Sequence, residues 1–459
     1  MKIIIVGCGK IGYTIAKDLA AEEDIDIIII DDDPDALEKT VESIDAMLIQ
    51  GNGLNLDILI EADVKNADLL ISVTDKDEVN ILCCISAKRL GTKHTIAKLR
   101  NPEYAINGEN FWKSMGVDML VNPDQETARE ISRLLRFPVV DDIDTFVGGR
   151  VELVSFKVSD ALSFFEGKSI SEIFYRKKLS ILLAMIERDN TILIPHGEAV
   201  FEKQDIIRVI GRPSDIMDFF ETIGKNTDKI KNAAIIGGGK ITYYLVELLH
   251  RHSSTTHIKI IDIDKKRCQE LSENFPRCDI INADGTEEDL LAAEIDKYAE
   301  AVVCLTDRDE ENTVIALYSL QQKKRKIIVK INHISKNLVK NLRLGSIVSP
   351  ENITSERIMQ YVRRLSIDER KSSITAIHKM FDNGGNTVEA LEFNINSKYR
   401  CLDTPLKELK LKKGILIGCI VRNSNIIIPM GDSFIQTGDK VILIAKNDRI
   451  LELDDILAN

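Results

Sequence analysis

A strand, a glycine turn and a helix open this chain, and the same unit opens again halfway along it. Lys2-Ile3-Ile4-Ile5-Val6 runs into Gly7-Cys8-Gly9-Lys10-Ile11-Gly12, and 230 positions later Ala233-Ala234-Ile235-Ile236 runs into Gly237-Gly238-Gly239-Lys240-Ile241-Thr242. In that setting G-x-G-x-x-G is a dinucleotide-binding fingerprint. Its first glycine permits a tight turn, its second lets backbone approach a pyrophosphate, and its third lets the helix pack closely on the strand. The pattern predicts a parallel α/β domain at the start of each half, with its first helix N-terminus suited to an anion if the glycines serve as more than a turn.

The rest of the first half agrees. Short apolar runs recur at 25–30, 47–49, 69–73, 95–98 and 119–121, with helical segments between them. Runs of this kind, buried on both faces, describe a doubly wound parallel sheet. Pro123 ends it. A helix from residue 124 to about 136 follows, with Ala128, Ile131, Leu134 and Leu135 on one face, and Phe137-Pro138 stops it. Pro350 plays the same part in the second half, where Ile358, Tyr361, Val362 and Leu365 line the next helix. A stripe on a helix that leaves a finished domain needs a partner, from its own chain or from a second one.

The remaining segments are also duplicated. Leu193-Ile194-Pro195-His196-Gly197 recurs as Ile427-Ile428-Pro429-Met430-Gly431, and the strand beginning Asp205-Ile206-Ile207 recurs as Asp439-Lys440-Val441, both offset by 234. Each block is expected to hold several short strands and two helices, the first helix starting in a capping box made by Ser169 and Glu172. The expected fold class is therefore α/β, with two doubly wound Rossmann-like domains, each followed by a small α/β domain. The expected divisions are 1–122, a crossover helix 123–139, 140–225, 230–349, a second crossover helix 350–371, and 372–459. Gly148-Gly149, Asn226-Thr227 and Gly384-Gly385 sit near the boundaries.

Composition narrows the partners. At 459 residues, 44% hydrophobic and 29% charged, the chain has the balance of a soluble globular protein. It holds no apolar run near the ~18 to 20 residues a membrane span requires, and Gly7, Gly9 and Lys10 break up any N-terminal signal segment. A cytoplasmic location without membrane insertion is expected. The net charge of −12 disfavours nucleic acid and adsorption on anionic lipid, while remaining compatible with the basic cytoplasmic loops of a membrane protein. The eight cysteines include the adjacent Cys83 and Cys84 but no metal-ligand spacing, so no metal site is expected.

Candidate ligand-binding residues follow from the sheet. In the first domain they begin with the turn Gly7, Cys8, Gly9, Lys10, Ile11 and Gly12. Asp31, followed by Asp32, ends the second strand, where a carboxylate accepts from ribose hydroxyls and repels a 2′-phosphate. NAD(H) or an adenine nucleotide is thus favoured over NADP. Gly51 and Asn52 follow strand three, Thr74, Asp75 and Asp77 follow strand four, and Lys98 ends strand five with Arg100 just beyond. Asp77 is also a natural helix cap. The second-domain counterparts are Gly237, Gly239, Lys240, Ile241, Asp262, Asp284, Thr306 and Asp307. There Thr242 replaces the third glycine and adds bulk where helix and strand approach, so the second domain either binds or serves architecture alone.

Catalytic machinery is not evident. The seven histidines form no metalloprotease pattern, and neither a G-K-[ST] loop nor a G-x-S-x-G elbow occurs. Tyr13 and Lys17 have a spacing used by some dehydrogenases but fall on the first helix, and His250 and His252 read as exposed near a helix end. A dehydrogenase and a stand-alone nucleotide sensor remain alternatives.

Taken together, the Lys2–Gly12 segment, Asp31, Gln50-Gly51-Asn52-Gly53 and Val73-Thr74-Asp75-x-Asp77-Glu78-x-Asn80 resemble the nucleotide-binding domain of regulators of potassium conductance. The duplicated order covers essentially the whole chain and is similar to the TrkA family, the peripheral components of Trk potassium-uptake systems. The resemblance implies a cytoplasmic ring, peripheral to the inner face of the membrane, beneath a potassium transporter of the TrkH/TrkG type. It implies binding of NAD(H) or ATP/ADP without enzymatic turnover, a homotetramer, pairing through the helices after Pro123 and Pro350, and small domains of the family's regulatory type.

Overall fold

The computed structural model describes residues 1–459 except 23, 42, 106–107, 141, 159–161, 166, 176–178, 190, 196–197, 226, 252–254, 333–343, 370–372, 383–386, 397–398, 447–449, 451 and 459. His196, Gly197, Asn226, His252, His333, Gly384 and Gly385 thus lie outside the described residues.

The first sheet holds β1 (Lys2–Val6), β2 (Asp26–Asp31), β3 (Met47–Gln50), β4 (Leu69–Ser72), β5 (His94–Lys98) and β6 (Met119–Val121). All pairings are parallel and the order is β3-β2-β1-β4-β5-β6. Ile3, Ile4 and Ile5 are fully buried, as central strands covered on both faces require. The order reverses between β1 and β4, which opens a crevice at their carboxyl ends.

The first small sheet is antiparallel, with β7 (Asp142–Phe146), β8 (Val151–Lys157), β9 (Ile181–Arg188), β10 (Thr191–Leu193) and β11 (Ile206–Gly211) in the order β10-β9-β11-β8-β7. The second parallel sheet holds β12 (Asn232–Ile236), β13 (His257–Asp262), β14 (Asp279–Asn282), β15 (Ala301–Cys304), β16 (Lys326–Lys330) and β17 (Ser346–Val348), and its order β14-β13-β12-β15-β16-β17 repeats the first. The last sheet, β18 (Ile374–Asp382), β19 (Thr387–Asn394), β20 (Ile415–Arg422), β21 (Asn425–Ile427) and β22 (Lys440–Lys446), is again antiparallel.

The four sheets gather into two compact units. Met1–Ser132 and Lys231–Tyr361, the two parallel-sheet domains, form one, and Arg133–Ile230 with Val362–Asn459 form the other. Inside the first unit the helices that leave each domain reach across to the sister domain. Asn122, at the start of the Pro123–Arg136 helix, donates to the Tyr244 hydroxyl at 3.0 Å. Ser355 of the Pro350–Glu369 helix donates to Asp18 at 2.6 Å, and Tyr361 meets the His94 ring edge-on at 6.3 Å. Ala128 and Ile131 of the first stripe and Ile358 and Val362 of the second are buried within the single chain.

In the second unit the two antiparallel sheets share one core, in which Phe146, Leu153 and Ile210 pack with Met380, Ala390 and Ile444. The Val147 N–H donates to Glu392 across that core at 2.9 Å. Each small domain also carries the same buried clamp. Arg188 grips Asp205 through two hydrogen bonds of 2.7 and 2.8 Å, and Arg422 grips Asp439 through two of 2.9 and 2.8 Å. Both aspartates are almost inaccessible, and each also accepts a backbone N–H, from Glu202 or Gln436.

The expected capping box is present, with Ser169 N donating to Glu172 at 2.9 Å. The second small domain departs from the expected pair of helices. Among its described residues the helical segments are the single turns Leu406–Glu408 and Leu453–Ile456. The first of these ends at Leu409, whose backbone is extended.

Replacing Asp439 by Ala strands Arg422 and the Gln436 N–H. The expected cost is about 2–4 kcal/mol, toward the lower end for a buried pair because Arg422 keeps some solvent contact. Denaturant titration of the full chain followed by fluorescence checks this.

Candidate nucleotide-binding site

The site grows from one bend in the backbone. Gly7 has φ +100°, a conformation that disfavours any side chain. Its N–H donates to the Ile30 carbonyl at 2.8 Å, and a Cβ placed on it would lie 2.8 Å from the Thr74 nitrogen. The bend is therefore wedged between the ends of β2 and β4. Gly12 is tighter still, since a Cβ there would lie 1.9 Å from the Gly7 carbonyl oxygen. Gly9 is the opposite case. A Cβ on it would meet nothing within 4 Å, and as the N-cap of the Lys10–Ala20 helix it supplies no side-chain cap. The first helical turn bears no acidic residue, and Lys10 is exposed beside it while Ile11 is half-buried. Open space in front of an uncapped helix N-terminus fits an anionic group.

Asp31 holds this bend in place. One of its carboxylate oxygens accepts the Cys8 N–H and the other accepts the Asp33 N–H at 2.9 Å, while Asp32 is exposed beside it. The Cys8 side chain turns inward, with its sulfur 3.0 Å from the Thr40 hydroxyl, and burial pushes its thiol up. Gly51 follows β3, where a Cβ would lie 2.7 Å from Ile58, and the Asn52 side chain accepts the Leu54 N–H to shape the loop.

The rim after β4 is organised by a residue outside the expected set, Asn80. Fully buried, it accepts from the Thr74 N–H and hydroxyl, both at 2.8 Å, and donates to the carbonyls of Thr74 and Lys98 at 3.0 and 2.9 Å. It ties the ends of β4 and β5 together. Thr74 is thereby positioned through Asn80, while Asp75 projects into solvent. Asp77 does not cap its own helix. Lys76 occupies the cap position of Asp77–Leu90, and the Asp77 carboxylate accepts the N–H groups of Arg100 and Asn101 at 2.7–3.0 Å. Those donors lie just past β5, so the carboxylate is drawn there and pins that strand end.

Lys98 is buried at the carboxyl end of β5, and its ammonium lies 3.7 Å from Asp75. Burial pushes it below the usual lysine value, against the pull of Asp75. A cation held at such a cost is ready for an anionic ligand. Arg100, by contrast, turns away toward Asp124 at 3.4 Å, on the helix that leaves the domain.

The second domain rebuilds the site almost atom for atom. Gly237 has φ +103°, its N–H donates to Ile261 at 2.8 Å, and the Gly238 N–H donates to Asp262 at 2.5 Å. Gly239 again faces open space, with Lys240 exposed and Ile241 buried behind it. Asn312 bonds Thr306 and the Lys330 carbonyl as Asn80 does Thr74 and Lys98. Lys330 meets the exposed Asp307 at 3.2 Å, and Asp309 accepts the Asn332 N–H. Asp284 accepts from Thr286, which holds its carboxyl below the ordinary range. The anticipated conflict at Thr242 does not arise. Its buried hydroxyl donates to the Gly237 carbonyl at 2.5 Å, so the helix takes up the extra bulk and gains a bond.

Residues 3–123 and 233–350 each match the TrkA-N domain, and residues 154–224 and 390–458 each match the TrkA-C domain. The Trk system potassium uptake protein TrkA homolog 1 of Methanosarcina mazei is 30% identical over 99% of both chains. The chain belongs to the TrkA family. The Trk system potassium uptake protein TrkA of Halomonas elongata is 29% identical over 98% of this chain and 96% of its own. Among solved structures, the GsuK channel bound to NAD overlaps with a TM-score of 0.60 at 18% identity, covering 97% of this chain and 76% of that one. The GsuK RCK domain overlaps equally well, over 92% of its length, which establishes a shared fold.

Within this TrkA-family chain the expected glycines, Asp31, Thr74, Asp75 and Lys98 gather around the crevice between β1 and β4, as do their second-domain counterparts. Asn80, Asn312 and Lys330 were missed as site residues. The signal was present: the same asparagine follows Thr74 and Thr306 by six positions, and a lysine ends the fifth strand twice. Tyr13 bonds Ser43 at 3.0 Å and Lys17 is exposed, so the dehydrogenase-like spacing lies on helix surface. His250 is half-buried rather than exposed, its ring meeting that of Phe275 edge-on at 6.0 Å.

Gly12→Ala is expected to lower stability by about 2–3 kcal/mol, because helix and bend must separate. Thr242→Ala is expected to lose about 1–2 kcal/mol with its buried hydroxyl bond. Thermal and urea unfolding of the two variants measure the contrast.

Proposed function

We propose that this chain is the cytoplasmic regulatory subunit of a Trk-type potassium transporter, and that it gates uptake by sensing nucleotide without chemical turnover. One observation carries the reading. Twice in one chain, an open glycine cradle at the start of a helix stands beside a buried lysine. The ligand of choice is NAD(H), with ATP or ADP sharing the same adenosine and phosphate contacts. Gly7 and Gly9 would admit the phosphates, the Lys10–Ala20 helix would face them, and Asp31 with Asp32 would meet the ribose. Gly51, Asn52, Thr74, Asp75 and Lys98 complete the rim, and Asp77 positions it. A channel with the same fold that is bound to NAD supports the assignment.

A dinucleotide contributes charge and shape here. It can move the protein between two shapes only by its difference in affinity for them, and a hundredfold difference supplies about 2.7 kcal/mol per site. The route outward is short. Arg100 at the rim reaches Asp124 on the Pro123–Arg136 helix, and Asn122 at the head of that helix bonds Tyr244 of the sister domain. Binding in one crevice thus bears on the pairing of the two.

A homotetrameric ring is supported by apolar side chains left exposed on this unit: Leu82, Phe111 and Met115 in the first domain, Val314 and Leu317 in the second. Leu82 and Val314 occupy matching helices, Asp77–Leu90 and Asp309–Gln321. Such residues suit contacts between copies. The transporter partner is of the TrkH/TrkG type, and the net charge of −12 suits its basic cytoplasmic loops. No helix among the described residues is long and apolar enough to cross a membrane, in keeping with a peripheral subunit.

Gly9→Asp and Gly239→Asp add a carboxylate where the phosphates would lie, in open space that leaves the fold intact. Each is expected to remove one NADH site from the calorimetric titration, and together they abolish nucleotide control of potassium uptake in cells carrying the transporter. Unaltered titrations in both variants contradict the assignment, and substrate-dependent NADH consumption at 340 nm would favour an oxidoreductase instead.

A further inference from the structure

The two crevices are near copies except where the adenine ribose would lie. After β2 the chain reads Asp31-Asp32-Asp33-Pro34-Asp35-Ala36, and after β13 it reads Asp262-Ile263-Asp264-Lys265-Lys266-Arg267. The six positions correspond one to one. Asp33 accepts the Asp35 N–H at 2.9 Å just as Asp264 accepts the Lys266 N–H at 2.8 Å, and the helices Pro34–Val41 and Lys265–Asn274 begin at the same step. The formal charge over these positions is −4 in the first domain and +1 in the second.

The bend itself has adjusted to the difference. In the first domain Cys8 fills the space under the bend and touches Thr40. In the second that place is Gly238, where a Cβ would lie 2.7 Å from Leu271 and 3.3 Å from the Cγ of Arg267, as well as 3.1 Å from the Asp262 carboxylate. The missing side chain makes room for the stem of Arg267 to lie over the bend, next to the carboxylate that marks the ribose position. The Arg267 guanidinium reaches Glu270 at 4.0 Å with both side chains about half exposed, a contact of little strength that a phosphate can displace.

We propose that the second crevice accepts an adenine dinucleotide carrying a phosphate on its adenine ribose, of the NADP(H) class, whereas the first excludes it. The inference rests on reading the second bend as a nucleotide site. Arg267 supplies a planar, bidentate donor to the ribose phosphate, with Lys265 and Lys266 adding positive field. An arginine near the end of the second strand accommodates a 2′-phosphate in this fold, and both oxygens of the Asp262 carboxylate, which opposes that group, are already turned to the Gly238 and Asp264 N–H groups. In the first crevice Asp31 and Asp33 match Asp262 and Asp264, but Asp32 and Asp35 add negative charge and no lysine or arginine stands at these six positions, so the same group is repelled. One chain would then report on two nicotinamide pools at once, through two domains joined by the hydrogen bond from Asn122 to Tyr244.

The test uses the full chain. Gly9→Asp leaves the second crevice to be titrated alone, and Gly239→Asp leaves the first. Calorimetry with NADPH and NADH is expected to show NADPH bound at least as tightly as NADH in Gly9→Asp, and NADH favoured more than tenfold in Gly239→Asp. Adding Arg267→Ala to Gly9→Asp is expected to weaken NADPH about 10- to 100-fold while NADH changes little. If the second crevice binds NADH but discriminates against NADPH as strongly as the first does, this inference is overturned while the nucleotide site stands. If it binds neither, the underlying assignment of the second crevice falls as well.

Discussion

Everything at the crevice depends on the contact between the glycine bend and the strand ends that flank it. Gly7 lies so close to the backbone after β4 that a single methyl group would collide with Thr74, and Gly12 lies closer still to the Gly7 carbonyl. These approaches bring the helix N-terminus to the carboxyl edge of the sheet and leave the space before Gly9 open. Asp31 secures the bend from the β2 side, and Asn80 secures the opposite rim by joining β4 to β5. Without these ties the helix N–H groups and the buried ammonium of Lys98 would not share one crevice.

Duplication shows which parts of this design are constrained. The second domain keeps the positive φ at Gly237, the carboxylate at Asp262, the asparagine tie at Asn312 and the lysine at the end of β16. It alters what stands behind them. Thr242 replaces a glycine by converting a steric limit into a hydrogen bond, and Gly238 replaces a cysteine whose thiol packs inward against the Thr40 hydroxyl. The small domains follow the same logic. Their Arg–Asp clamps are superimposable in bonding, while the shared face carries Asp144 on one sheet opposite His378 on the other, 3.7 Å apart. At the two bends the copies differ in the charge and bulk of side chains, whereas the small domains also differ in backbone, the Pro213–Thr222 helix of the first having only single turns as its counterpart among the described residues of the second.

Much of this was legible in the residues. Apolar runs between helical segments marked all six strands of the first sheet, because central parallel strands are buried on both faces and read as unbroken hydrophobic stretches. The glycine spacing located the bend because no other residue tolerates its geometry. Polar side chains with two plausible duties were harder. Asp77 looks like a helix cap by position, but the cap is Lys76 and the carboxylate reaches N–H groups beyond β5, a partner 23 residues away that local pattern cannot reveal. Asn80 reads as an ordinary helix residue until its buried side chain is seen between two strand ends. Thr242 looked obstructive because sequence shows its volume and not the carbonyl that receives its hydroxyl.

The central claim is that each of the two glycine bends holds a nucleotide phosphate. Native mass spectrometry of the intact chain titrated with NADH measures this most directly, since it counts bound dinucleotides per polypeptide. Saturation at two per chain is the expected result. A chain that stays bare at concentrations well above those of the cell would contradict the account, and a single bound molecule would confine it to one domain.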